Sequence, residues 1–355
     1  MKSALGFVLL VSMLCGIGAG LWRIEQQHTR IIKRCCALKG YVRIERGNAA
    51  ILAPIRTFSV ELVSIQDDGD LVKCLRSLSE LPRIEMLQAR PVMFEDRFAS
   101  DTPACVSQVW ALSIADGRLT AECCRNIAAW TCIRELHVWD CVVEPGAMRE
   151  LSRSPNLVEL WFSDVRVEGN LFANLHQPSR LETVTLDGLA LGADDWRAIG
   201  EMRGLRYLSA RDSNFCDADF AALKTCIKLQ RLDLRTTAIH GERLAALAGL
   251  RDLEYLDLAK CGPFGPERYA ELEEMIAKIT GKDIETPELV LSLAALPELP
   301  SLRELNVAGA RIGPSAWEGL RRQANLTRLD CTGAKIPAWI KDAMRRKLPK
   351  LKVDE

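Results

Sequence analysis

Histidine is scarce in this chain. Four occur in 355 residues (His28, His137, His176 and His240), too few and too scattered to mark a metal site. Net charge is absent as well, with 47 basic residues against 47 acidic ones. A nucleic-acid binder needs a basic face to release counterions, so the balance speaks against that class. The 13 cysteines contain no C-x-x-C spacing. Their adjacent pairs, Cys35/Cys36 and Cys123/Cys124, suit neither tetrahedral ligation nor ordinary bridges. No motif calls for a cofactor.

What the sequence does contain is a repeat. The stretch "LQRLDLRTTAIHGERLAALAGL" at 229–250 has the skeleton of "LRYLSARDSNFCDADFAALKTC" at 205–226, with most of the intervening residues changed. If the first residue of L-x-x-L-x-L is position 1, apolar residues return at 1, 4 and 6 in units starting at Val60, Ile84, Val109, Ile133, Leu157, Leu181, Leu205, Leu229, Leu253, Leu302 and Leu326. The steps are 24 or 25 residues except for one of 49, from Leu253 to Leu302. Positions 11, 16 and 19 are apolar in the same count, as at Ile239, Leu244 and Leu247.

Positions 1–8 alternate with the period of a strand, and positions 13–22 carry apolar residues three apart, as on one helix face. One unit cannot bury both faces. Stacking buries them, with strands in a parallel sheet about 4.8 Å apart and helices on the other side. Helices are wider than strands are apart, so the sheet is expected on the concave side.

In this pattern the chain resembles the leucine-rich-repeat family in its 24-residue bacterial form, which has a small residue at position 9 and an apolar one at 11. Position 9 is Cys141, Ser213, Thr237, Cys261, Ala310 and Ala334, whereas Val92, Val165 and Leu189 depart from it, and the usual asparagine ladder is missing. The hydrogen bonds that ladder makes must be found elsewhere. The resemblance implies an α/β leucine-rich-repeat solenoid of ribonuclease-inhibitor-like horseshoe form, with a parallel β-sheet on the concave face and helices on the convex face. It also implies a non-enzymatic protein-binding role, because the family shares no catalytic residues.

The expected organisation is a transmembrane anchor or signal peptide at 1–22, a cap helix and strand at 23–59, repeats at 60–336 with an insert at about 262–287, and a C-terminal cap at 337–355. Residues 3–22 run without a charge, and their apolar core at 4–21 is long enough to cross a bilayer. They read either as a single-pass anchor with Trp22 at the interface or as a signal peptide whose removal would leave the protein secreted. Arg23, Arg30, Lys33 and Arg34 outweigh Lys2, which tilts the repeats toward the cytoplasm. Cys15 follows "SML", a poor lipoprotein site. In the 49-residue step, residues 266–281 have helical spacing and end near Gly281.

Positions 2, 3, 5, 7 and 8 should line the open sheet face. They bring Trp110, His137, Trp139 and Trp161 together with Asp116, Asp140 and Asp164, followed by Tyr207, Arg211, Arg235 and Tyr255. Exposed Trp, Tyr and Arg are the composition of a binding hot spot, and a protein partner is expected on Trp110, His137, Trp139, Asp140, Trp161, Asp164, Tyr207, Arg211, Arg235 and Tyr255. The alternative is that the indoles shield the sheet, or stack on sugars of a cell wall if the domain is exported. His137 and Ser113 share position 5 in adjacent units, but no nucleophile elbow or oxyanion hole accompanies them, so hydrolysis is not expected. The inward cysteines read as free core thiols.

Overall fold

The structure, a computed structural model, describes residues 41–43, 59–63, 86–90, 109–172, 175, 180–262 and 291–355. The segment expected to anchor the chain (1–22), the expected cap helix within 23–59, His176 and the helical stretch 266–281 lie outside those residues. Among the described residues no helix is long and apolar enough to cross a membrane.

The period-two segments form strands, in chain order β1 (Tyr41–Arg43), β2 (Ser59–Val63), β3 (Met86–Arg90), β4 (Ala111–Ala115), β5 (Arg118–Leu119), β6 (Glu135–Trp139), β7 (Val142–Val143), β8 (Glu159–Ser163), β9 (Arg166–Val167), β10 (Thr183–Asp187), β11 (Tyr207–Ser209), β12 (Arg231–Asp233), β13 (Tyr255–Asp257), β14 (Glu304–Asn306), β15 (Arg328–Asp330) and β16 (Lys352–Asp354). Thirteen of them make one sheet in the order β1-β2-β3-β4-β6-β8-β10-β11-β12-β13-β14-β15-β16, and β5-β7-β9 make a second, three-stranded one. All pairs are parallel except β1 with β2. Position 4 forms a column of directly opposed residues, Leu112, Leu136, Leu160, Val184, Leu208, Leu232, Leu256, Leu305 and Leu329. None is more than 1% exposed.

At the N-terminal end the pairing departs from the repeat count. β2 meets β3 through Val60↔Leu87, three residues away from the register in which Val60 is position 1. The segment "FSVELVSIQ" carries apolar residues on both parities, so periodicity alone admits either frame.

On the far side of the sheet the chain returns through α1 (Ala121–Ala128), α2 (Ala147–Leu151), α3 (Ala193–Gly200), α4 (Phe220–Leu223), α5 (Ala316–Leu320) and α6 (Ala338–Lys347). Thr120 caps α1, its Oγ1 accepting the Cys123 N–H at 3.0 Å. Positions 16 and 19 are buried in pairs such as Cys124/Ile127, Met148/Leu151, Trp196/Ile199 and Phe220/Leu223. The expected helix is replaced by a 3₁₀ turn at Leu244–Gly249. There the buried leucines fall three apart at 244, 247, 250 and 253, a spacing that eclipses at three residues per turn.

Two devices close the coils, the first in every described one and the second in those with a hydroxyl or thiol at position 9. Position 8 adopts the left-handed conformation in every described repeat from β4 onward, at Asp116, Asp140, Asp164, Gly188, Asp212, Thr236, Lys260, Gly309 and Gly333. Its N–H donates across to position 7 of the next coil, as from Asp140 to the Ser163 carbonyl at 3.2 Å. Position 9 then does the work of the missing asparagines with hydroxyls and thiols. Thr237 Oγ1 donates to the Leu234 carbonyl at 2.6 Å, Ser213 Oγ to Ala210 at 2.7 Å, and Cys261 Sγ to Leu234 at 2.9 Å. Burial pushes the Cys261 thiol up to about 12 and the Cys141 thiol up to about 11. Both stay protonated donors at neutral pH.

The 49-residue step does not interrupt the sheet, because β13 pairs directly with β14 through Leu256↔Leu305. Gly262 donates to the Thr237 carbonyl at 3.2 Å, the bond that position 10 makes in other coils, as from Val142 to Gly117. Leu291 bridges Ile312 and donates to the Arg311 carbonyl, the bond that position 11 makes from Ile312 to Lys335. From residue 263 on, the insertion expected at about 262–287 lies outside the described residues. Leu293, Leu296, Leu299 and Leu302 then resume the core.

Candidate partner-binding face

A parallel sheet is ordinarily covered on both faces. Here the side opposite the core is lined by polar and aromatic residues at positions 3, 5 and 7, and two clusters occupy it.

The first lies on β4, β6 and β8. Cross-strand pairing sets His137 between Ser113 and Trp161. The His137 and Trp161 ring centroids are 5.3 Å apart, and those of His137 and Trp139, two residues along the strand, 6.4 Å. Trp161 is 39% exposed, whereas Trp139 is half-buried. Glu135 and Glu159 stand directly opposite each other on β6 and β8 and flank the imidazole. His137 Nε2 lies 3.5 Å from Glu159 Oε1 and 3.9 Å from Glu135 Oε2. It is buried and makes no hydrogen bond. Burial holds His137 below its usual pKa, outweighing the pull of Glu159. Burial, together with the facing Glu159, raises Glu135. One donor atom from each of Glu135, His137 and Glu159 lies within 4.8 Å of the others, the one group among the described residues with the ligand types and closeness to hold a metal ion.

The second cluster lies on β10 to β14 and is self-neutralised. Asp233 and Asp257 oppose each other at position 5 and are buried. Arg211 Nε donates to Asp233 at 2.8 Å, and Arg235 adds bonds of 3.1 and 2.9 Å to the same carboxylate. Tyr255 Oη donates to Asp257 at 2.6 Å and Asn306 Nδ2 at 2.9 Å. Burial and the bond to Asp257 raise Tyr255, so its phenol remains a donor. Position 5 also caps its own strand, since Asp257, Asn306 and Asp330 each accept the N–H two residues on, at 3.0, 2.9 and 3.0 Å. Arg231 lies over the Tyr255 ring at 4.7 Å.

Of the residues expected to bind a partner, His137, Trp139 and Trp161 come together, and Arg211, Arg235 and Tyr255 come together. Tyr207 pairs across to Arg231 beside the second group. Trp110 precedes β4 at position 2, at the opposite strand end from Trp139 at position 7. At about 3.3 Å per residue the two are too far apart to form one patch. Asp140 and Asp164 are exposed and hold the left-handed turn. Missing from the expectation are Glu135, Glu159, Asp233, Asp257 and Asn306. The signal for them was the same count, applied to charge in columns 3 and 5.

No protein-family model and no curated protein matches the sequence. Among solved structures the chain is similar to one from the mouse RP105/MD-1 complex, with 15% identity over 84% of this chain and 54% of that one and a TM-score of 0.52. This chain thus spans about half the length of that neighbour. Lower TM-scores are found for the internalin inlF of Listeria monocytogenes (0.47, 14% identity, 84% and 86% covered) and for a chain of the octameric complex of Latrophilin 3, Unc5D and FLRT2 (0.49, 12% identity, 88% and 90% covered). The strand columns and the mouse neighbour together define an α/β solenoid with the leucine-rich-repeat fold.

Proposed function

We propose that this protein is a non-enzymatic, membrane-tethered recognition scaffold that docks a protein partner on the open sheet face around β6 and β8. The observation that carries the reading is the half-open indole of Trp161, packed at a tilt against His137 in the middle of a sheet face that no part of the described chain covers. An exposed aromatic surrounded by partly buried polar groups is the composition of a hot spot, where Trp contributes far more than its share of affinity. The mouse neighbour was solved as a complex with MD-1, and that use of the fold is the one we carry to this chain. The opposed carboxylates and shallow surface offer no means of excluding water from a reaction.

Tethering rests on the uncharged run at 3–22, and the flanking Arg23, Arg30, Lys33 and Arg34 favour the cytoplasmic side for the repeats. Cys132 is exposed and reports the side directly. An impermeant thiol reagent should label it only after lysis, with Cys132→Ser as control, and labelling in intact cells would reverse the orientation. For the binding face, capture from the native host with wild type should give a specific partner that Trp161→Ala loses by about tenfold or more. Undiminished capture by a Trp139→Ala/Trp161→Ala variant that melts like wild type would remove the reading.

A further inference from the structure

The coil that carries the long step is short where it meets the next one. Leu291 bridges Ile312, and Leu293 stands nine residues before Leu302 as Trp317 stands nine before Leu326. Four residues separate Ile312 from Trp317, but only one separates Leu291 from Leu293. The turn that would lie beside Trp317 is therefore three residues shorter than its counterpart in the following coil. Trp317 is only half-buried, whereas Phe172, Trp196 and Phe220, at the same position in other coils, are at most 2% exposed. Trp339 on α6 meets Trp317 in a T-shaped contact with ring centroids 6.1 Å apart and is itself 49% exposed. Two indoles from adjacent coils thus form an open apolar strip beside the point where the chain re-enters the repeats.

Charge and reach select what lies on that strip. Residues 311–355 contain 11 lysines and arginines against five aspartates and glutamates, whereas 263–290 contain three against seven. Arg346, seven residues after Trp339 and exposed, falls on the same side of α6 two turns on. The stretch 266–281 lies outside the described residues, but in its sequence Tyr269, Leu272, Ile276 and Ile279 fall three and four apart, the spacing of one helix face. Such a face needs an apolar surface to bury it. Nine residues, 282–290, join this stretch to Leu291 and can span about 30 Å at most. Trp317 and Trp339 lie one and two coils beyond Leu291, displaced along the stack by about 5 and 10 Å. A segment tied at that seam meets the strip at an effective concentration of about a millimolar or more, which a free partner or a membrane would have to outcompete.

We infer that the segment 266–281 of this chain packs its apolar side on Trp317 and Trp339, with its glutamates toward the basic end of α6. The contact is independent of the sheet-face reading, because α5 and α6 lie on the far side of the sheet from Trp161. It turns the long step from a projection into part of the convex surface.

The test reads acrylamide quenching of Trp339, taken as the emission difference between the full-length chain and its Trp339→Phe variant. In a chain that also carries Leu272→Asp and Ile276→Asp, the same difference should be quenched about threefold or more readily. Equal quenching in the two backgrounds overturns the inference. So does protection that fades on hundredfold dilution, which assigns the strip to a second copy, or protection that appears only with phosphatidylserine vesicles, which assigns it to a membrane. The unmodified chain gives an answer that needs no variant to fold. Zero-length carbodiimide coupling should join Lys341 to Glu355, 3.2 Å away, and should also join a lysine within 335–350 to a glutamate within 267–274. Recovery of the first link without the second overturns the contact.

Discussion

For His137, burial rather than charge decides the protonation state. Two carboxylates nearby would ordinarily raise an imidazole, yet its side chain is only 16% exposed and its pKa is lowered. The unfolded chain takes up this proton near the ordinary value of about 6.5, and the folded chain only at lower pH. Between the two the unfolded state binds more protons, so stability is lost as pH falls below about 6.5. Relative to His137→Gln, the wild-type melting temperature should therefore drop between pH 7.5 and 5.5. A difference that stays constant with pH would refute this. At Asp257 the contest is between desolvation and hydrogen bonds. Asp257→Ala strands the buried Ala259 N–H, which the carboxylate accepts at 3.0 Å, and frees Tyr255 and Asn306. Chemical denaturation should show a loss of about 2–3 kcal/mol. Asp257→Asn keeps the cap on the Ala259 N–H through Oδ1, as Asn306 does one coil later, but turns an amide donor toward the Tyr255 hydroxyl and the Asn306 amide, so it should still cost about 1–2 kcal/mol.

At the scale of the element, spacing between coils is set by backbone contacts that leave no room for a side chain. A Cβ on Gly319, inside α5, would overlap the Leu293 carbonyl oxygen, and its next neighbour is the Leu296 side chain at 2.9 Å. Gly319→Ala gains helix propensity of about 1 kcal/mol. The steric conflict with a buried backbone should exceed that gain, giving a net melting-temperature decrease in calorimetry, and an increase would show that the coils can part there. The elements themselves were legible in the sequence. Positions 4 and 6, and all of the apolar residues described at 16 and 19 but the half-buried Trp317 and Leu175, are buried where the period places them, because a two-residue and a three-residue rhythm each commit one face to the core. What was not legible is the role of the outward residues. Aspartate at position 8 reads equally as a ligand or as a residue that tolerates the left-handed turn. Gly188, Gly309 and Gly333 in the same column are the clue that backbone conformation rules there. Arg211 and Arg235 looked like free anchors, but their pairing with Asp233 depends on cross-strand register and neighbour burial, which no single segment encodes.

Across the whole molecule each coil touches its two neighbours and no others along the sheet, so disturbance is expected to stay local. Asp257→Ala should leave Trp161 emission unchanged at temperatures below the melt. The sheet passes straight from β13 to β14, and Gly262 and Leu291 make the bonds that successive residues make in uninterrupted coils. Joining Gly262 to Glu288, with the 25 residues 263–287 removed so that the 49-residue step becomes 24, should therefore give a protein that melts within a few degrees of the parent, whereas failure to fold would mean that those residues support the core. The chain thus contains a natural splice port. A reporter or a second module sewn in at that seam would enter and leave through neighbouring points, and no strand on either side would have to change its register to admit it.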